Sequence, residues 1–205
     1  MQQFHAFAQP WWVNLLVIIP VVVYFLWRRK GLRLVWPQML ALSGFALAFG
    51  FVEAAVVVYL RAAVGLLPGY QQGSFADVRR LSSGYQQALS VAHFPHVLIS
   101  IELLRETATM VMLICVALLA ARGARERWAC FLWAFAVWDI TYYAGLWALV
   151  RWPSSLKTVD VLFLIPSPWI AQVWYPLLVS ALTLAAVAAS VQASVQVKTS
   201  ARGSE

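Results

Sequence analysis

Charge is the scarcest commodity in this chain. Of its 205 residues only 11% are Asp, Glu, Lys or Arg, whereas 62% are hydrophobic. A soluble domain carries about 25% charged residues, so the composition excludes a soluble globular fold and predicts a multi-pass membrane protein. Cysteine is nearly absent as well. Cys115 and Cys130 are too few for a structural zinc site, and they read as small apolar packing residues. There are three histidines, His5, His93 and His96. All are expected at one edge of the membrane, whereas a haem held between helices takes axial ligands, histidine foremost, from within it. A haem-bearing electron carrier is therefore not expected. No P-loop, dinucleotide-binding glycine fingerprint, HExxH motif or G-x-S-x-G elbow occurs, which removes the common nucleotide, zinc-protease and serine-hydrolase chemistries.

The net charge of +7 does not point to nucleic acid. The basic residues sit in short clusters just after apolar runs, "RRKGLR" after the first and "RGARER" after the third, with Lys198 and Arg202 in the tail. Such clusters mark cytoplasmic loops. The other side holds mainly Arg79, Arg80, Arg151 and Lys157, with Arg61 at its edge. A bacterial-type inner membrane is expected, with the N-terminus outside and the C-terminus in the cytoplasm. Trp11, Trp12, Trp152, Trp169 and Trp174 would then form an aromatic belt at the outer interface. The opening "MQQFHAFAQPWW" has no basic n-region, so the first apolar run is expected to stay as a span.

Five apolar segments are long enough to cross a bilayer, at about 20 residues each. They run from about Pro10 to Trp27, Val35 to Leu67, Pro95 to Ala121, Trp128 to Trp152 and Trp174 to Ala193. Backbone polar groups in lipid must be satisfied internally, which makes each of them a helix. The expected fold is all-α: one five-helix transmembrane bundle over residues 1–195, then a flexible tail, 196–205. Residues 68–94 are polar and are expected to form an outer connection with a short helix from Ser74 onward. Residues 153–173, between helices four and five, are apolar but broken by Pro166 and Pro168. They are expected to form a re-entrant or interfacial segment capping something beneath it. Asp160 is read as the cap of a short helix there.

What charge there is lies in an unusual place. The stretch "SIELLRETATMVML" puts two glutamates and an arginine inside the third span. At 100° per residue, Glu102, Arg105, Glu106 and Thr109 share one face. A charge facing lipid costs at least about 2.5–3.5 kcal/mol, so that face must look into the bundle. Matching stripes occur on helix four (Leu132, Phe135, Asp139, Tyr142, Tyr143) and helix two (Ala46, Gly50, Glu53, Val57), whose small residues permit close helix approach. Counted along the helices, the depths of Glu53, Glu102, Glu106 and Asp139 overlap in the outer half of the membrane, with His96 just above and His93 before it.

Four carboxyls against one intramembrane guanidinium is more acid than a register-fixing ion pair needs. Arg105 neutralises one carboxylate; the others either take up protons or bind a cation. Carboxylates with a nearby histidine are the usual ligands of non-haem iron or manganese in helical bundles. Glu53, His96, Glu102, Glu106 and Asp139 are the candidate ligands for such a divalent ion. The Glu-x-x-x-Glu spacing departs from the Glu-x-x-His template, and His96 lies about 120° off the Glu102 face. The candidate catalytic set is Glu53, Glu102, Arg105, Glu106, Asp139, Tyr142 and Tyr143, acting on a lipid, a quinone or another hydrophobic molecule. The competing readings are a proton, ion or small-solute transport subunit and a structural or assembly subunit among other membrane proteins. For Tyr142 and Tyr143 the plainer reading is packing, with hydroxyls satisfied by carboxylates.

Overall fold

A computed structural model describes residues 7–29, 31–63 and 96–202. The connection at 68–94, with its short helix, and His93 therefore lie outside the described residues. A 3-10 turn, Trp11–Val17, runs directly into α1, Ile18–Trp27. There follow α2 (Trp36–Ala63), α3 (His96–Ala120), α4 (Ala124–Val150), a hairpin of β1 (Val159–Phe163) and β2 (Trp169–Gln172), and α5 (Trp174–Arg202).

Among the described residues four helices are long and apolar enough to cross a membrane: α2, α3, α4 and the Trp174–Val191 part of α5. The Trp11–Trp27 helix is shorter. Element ends follow local chemistry. Pro37 and Pro176 lie in the first turns of α2 and α5, where a missing N–H costs nothing. Gly31 turns the α1–α2 link with φ 63°, a left-handed conformation that glycine adopts without strain. Arg151 ends α4 in the same region, its N–H bonded to the Trp147 carbonyl. The fifth helix continues to Arg202, past the end expected near Ala193.

The bundle is organised around α4. Half of its span is buried, against 22% for α3, and it packs on α2, α3 and α5. The α2–α4 seam is tight. A Cβ on Gly50 would sit 2.7 Å from the Trp138 carbonyl oxygen, and one on Gly145 2.9 Å from the Ala54 Cβ. The small stripe Ala46, Gly50, Ala54 is what lets the two backbones meet. Below the level of Glu53 the described interior is mainly apolar, the dry half of the bundle. Leu42, Ala46, Leu113, Ala117, Cys130 and Ala134 are all buried in one apolar cluster. Trp133 donates its indole N–H across this half to the Ser43 hydroxyl, 2.8 Å away.

The described fold departs from the all-α expectation at 153–173. The segment contains an antiparallel β-hairpin, pairing Val159 with Gln172, Asp160 with Ala171 and Val161 with Ile170, with an irregularity before the Phe163–Trp169 pair. Its physical basis is the β-branched, alternating run "VDVLF" followed by the turn residues of "PSP". Gln9 adds a bridge to the outer edge of β2, exchanging N–H···O bonds of 2.8 and 2.7 Å with Ile170. Asp160 accordingly lies in a strand and caps no helix. Trp152, expected in an interfacial belt, is 1% exposed.

Candidate functional site

Where α2, α3, α4 and α5 meet the hairpin they leave a cavity of about 190 Å³. All seven residues of the expected catalytic set line it: Glu53, Glu102, Arg105, Glu106, Asp139, Tyr142 and Tyr143. The acids and the arginine fall within segments long enough to span a membrane, which is where charge is most costly.

Each charged group has a specific partner. Arg105 bonds Glu53 through Nη1, and reaches a single oxygen of Glu102 through Nε (3.0 Å) and Nη2 (2.7 Å). This is one guanidinium between carboxylates of two helices, stitching α3 to α2. Its side chain is 22% exposed and that of Glu53 only 6%. The Thr109 hydroxyl, one helical turn below Arg105, donates to the second Glu53 oxygen at 2.8 Å. Glu106 points to the hairpin instead: both of its oxygens accept the Leu164 backbone N–H, at 3.1 and 2.9 Å. Asp139 accepts from the Ser180 hydroxyl of α5 at 2.8 Å. Tyr143 donates to Asp160 of β1 at 2.9 Å.

Three contributors were not anticipated. Asp160 is a fifth acid, brought in by the hairpin. Ser180 supplies the Asp139 partner from α5. Arg61 is a second guanidinium on the cavity wall, its carbon 4.0 Å from the centre of the Trp152 ring. Arg105 is thus not the sole cation of the cluster. Sequence did hold a signal for Arg61, which continues the face of Glu53 and Val57 at i+4 steps. Asp160 is fully enclosed, and burial pushes its carboxyl above the ordinary range, against the opposing pull of Arg61 and the Tyr143 hydroxyl.

The rest of the wall is aromatic and aliphatic. Phe135 and Phe163 stack at 6.1 Å between centroids, and Trp138 stacks on Tyr142 at 6.0 Å. Phe163 also meets Trp138 at 6.3 Å and Trp169 at 5.4 Å. Trp138 and Trp169 both keep a buried indole N–H with no acceptor among the described residues, each an unmade bond costing about 1–3 kcal/mol.

As for the expected metal ligands, no three His, Cys, Asp or Glu side chains among the described residues converge as an ion would require. Glu53 and Glu102 are turned to Arg105, Glu106 to the hairpin backbone and Asp139 to Ser180. Of His96 the structure describes the backbone alone. No protein-family model matches the chain, and no curated protein or solved structure matches it.

Proposed function

We propose that this chain is a multi-pass membrane protein that performs acid/base chemistry on a lipid-soluble molecule held in the cavity between α2, α3, α4, α5 and the hairpin. The observation that carries the reading is the division of labour among the acids. Glu53 and Glu102 are tied to Arg105. Among the described residues, Glu106 and Asp139 accept from neutral donors, a backbone N–H and a serine hydroxyl. The first pair sets the geometry; the second pair can carry a proton to or from a bound molecule, as general acid/base catalysis requires. Tyr142 and Tyr143 complete the polar wall beside them. The mainly apolar lower half favours this reading over proton transport, since the described cluster around Leu42, Leu113 and Ala117 is apolar and the buried Ser190 hydroxyl beside it is turned to the Ala186 carbonyl of its own helix.

The five-span topology belongs to the same proposal. Seven residues of 3-10 turn rise about 2.0 Å each and ten of α-helix about 1.5 Å, so Trp11–Trp27 reaches about 29 Å. That matches the roughly 30 Å hydrocarbon core. The two basic links meet at one end, where the Arg33 N–H donates to Glu126 at 3.4 Å, which favours placing that end in the cytoplasm. The cavity and its hairpin roof then lie in the outer half of a bacterial-type plasma membrane.

Infrared difference spectra between acidic and alkaline buffer, on protein in lipid nanodiscs, test the proton-carrying role. Carboxylic-acid C=O bands should appear in the wild type, one vanishing in Glu106→Gln and another in Asp139→Asn. Spectra unchanged in both variants would remove these residues as proton carriers and with them the acid/base reading.

A further inference from the structure

The cavity carries two unused donors as well as its acids. Trp138 of α4 is 6% exposed, lies in the wall, and its indole N–H has no acceptor among the described residues. Trp169 of β2 is in the wall too, with the same unmet N–H. Phe163 lies between them, in ring contact with both. A buried N–H without a partner calls for an explanation, and a bound acceptor is one. Asp139 follows Trp138 in the chain and lines the same space.

We propose that the cavity takes a flat, lipid-soluble ring bearing carbonyl oxygen, which accepts from the Trp138 N–H with the Trp169 N–H as the second donor, the ring lying against Phe135 and Phe163. The inference rests on the acid/base reading and names its substrate class. Size agrees: an apolar cavity of about 150 Å³ holds benzene, so about 190 Å³ holds one substituted ring while an aliphatic tail extends toward lipid. Chemistry agrees as well. A carbonyl oxygen is an acceptor to which indole N–H groups and a neighbouring protonated carboxyl can both donate hydrogen bonds, and the stacked aromatic wall suits a planar partner. Two lipid-soluble sources supply such an oxygen, a quinone-type ring and the ester carbonyl of a diacylglycerol, and the aromatic wall selects the ring.

Equilibrium binding to the full chain in nanodiscs separates the cases, with three probes: a decyl-substituted benzoquinone, a short-chain diacylglycerol and decyltrimethylammonium. The quinone should bind, and Trp138→Phe, which keeps a ring and deletes only the N–H, should weaken it about tenfold. Trp169→Phe should weaken it several-fold, and Trp147→Phe, outside the cavity, should change nothing. Should Trp138→Phe fail to fold, Trp169→Phe reads the same donor dependence from the hairpin. Quinone affinity unchanged in both indole variants overturns the proposal, as does tighter binding of the ammonium probe. Diacylglycerol binding that needs the indole N–H groups, with no quinone binding, overturns the ring and leaves the ester carbonyl as the source. Indole-dependent quinone binding alongside silent infrared spectra would sink the acid/base reading alone; intact infrared bands with indole-independent binding would sink the ligand class alone.

Discussion

Helix α2 presents one face to two different interiors. In its first half, Leu42, Ala46 and Gly50 lie in a dry seam so close to α4 that a Cβ at position 50 would clash with the Trp138 carbonyl unless something shifted. In its second half, the same face continues as Glu53, Val57 and Arg61 and borders the cavity. The dry half is held by contact between small residues and dispersion, because lipid offers no hydrophobic drive between helices. The polar half is held by directed bonds: Arg105 to Glu53 and Glu102, Glu106 to the hairpin backbone, Asp139 to α5. Close packing leaves no room for a ligand, whereas directed bonds hold helices apart at defined distances. The cavity lies where α2 and α3 touch only sparsely and a guanidinium bridges the gap.

The largest effect should come from breaking the polar half at its bridge. Arg105→Leu strands Glu53 and Glu102 without their shared cation, and removing one side of a buried pair costs about 3–5 kcal/mol. Thermal melting in detergent should show a large drop, whereas Arg125→Leu, whose ion pair with Glu126 lies at the basic end, should lose less than about 1 kcal/mol. Next comes the dry half. Gly50→Leu forces a side chain against the Trp138 carbonyl and Thr141, and overpacking of this kind costs about 1–3 kcal/mol. Gly44→Leu, where a Cβ would meet nothing within 4 Å, is the matched control and should melt close to wild type.

The smallest effect sharpens the role of the roof. Burial raises the Asp160 carboxyl on folding, so the folded state favours its protonated form. Its contribution is therefore fullest below the ordinary carboxylate range and is lost as pH climbs through the raised value. Asp160→Asn keeps an acceptor for Tyr143 and removes the titration. Wild type should lose stability relative to this variant as the buffer goes from acidic to neutral. Parallel melting curves for the two proteins across that range would mean that Asp160 is not enclosed by the hairpin.

Much of this architecture is legible in the residues. The charged face of α3 follows from 100° periodicity alone, because Glu102, Arg105, Glu106 and Thr109 have nowhere else to go in an apolar helix. The small stripe Ala46–Gly50 foretold the tight seam with its partner. What could not be read is non-local. "VDVLF" leans toward a strand but is too short to decide by itself, and its pairing with Trp169–Gln172 settles it. The pairing then carries Asp160 to Tyr143 and the Leu164 N–H to Glu106. Ser180 sits on a helix of mostly small and aliphatic residues, and nothing local marks it as the partner of Asp139. The burial of Trp152 was equally out of reach, because Arg61, far away in sequence, lies over its ring.

The central claim is that an arginine of α3 and a glutamate of α2 meet inside the bundle and there frame the cavity. A double-mutant cycle of Arg105→Met and Glu53→Gln, read by reversible unfolding in detergent, tests it most directly. Contacting charged residues couple by about 0.5–3 kcal/mol, and the desolvated setting of this pair places the expected value above about 1 kcal/mol, with the double variant more stable than Arg105→Met alone. Additive losses, with coupling indistinguishable from zero, would contradict the account, because Arg105 and Glu53 would then not touch and the polar half of the bundle would lack the bridge that holds it open.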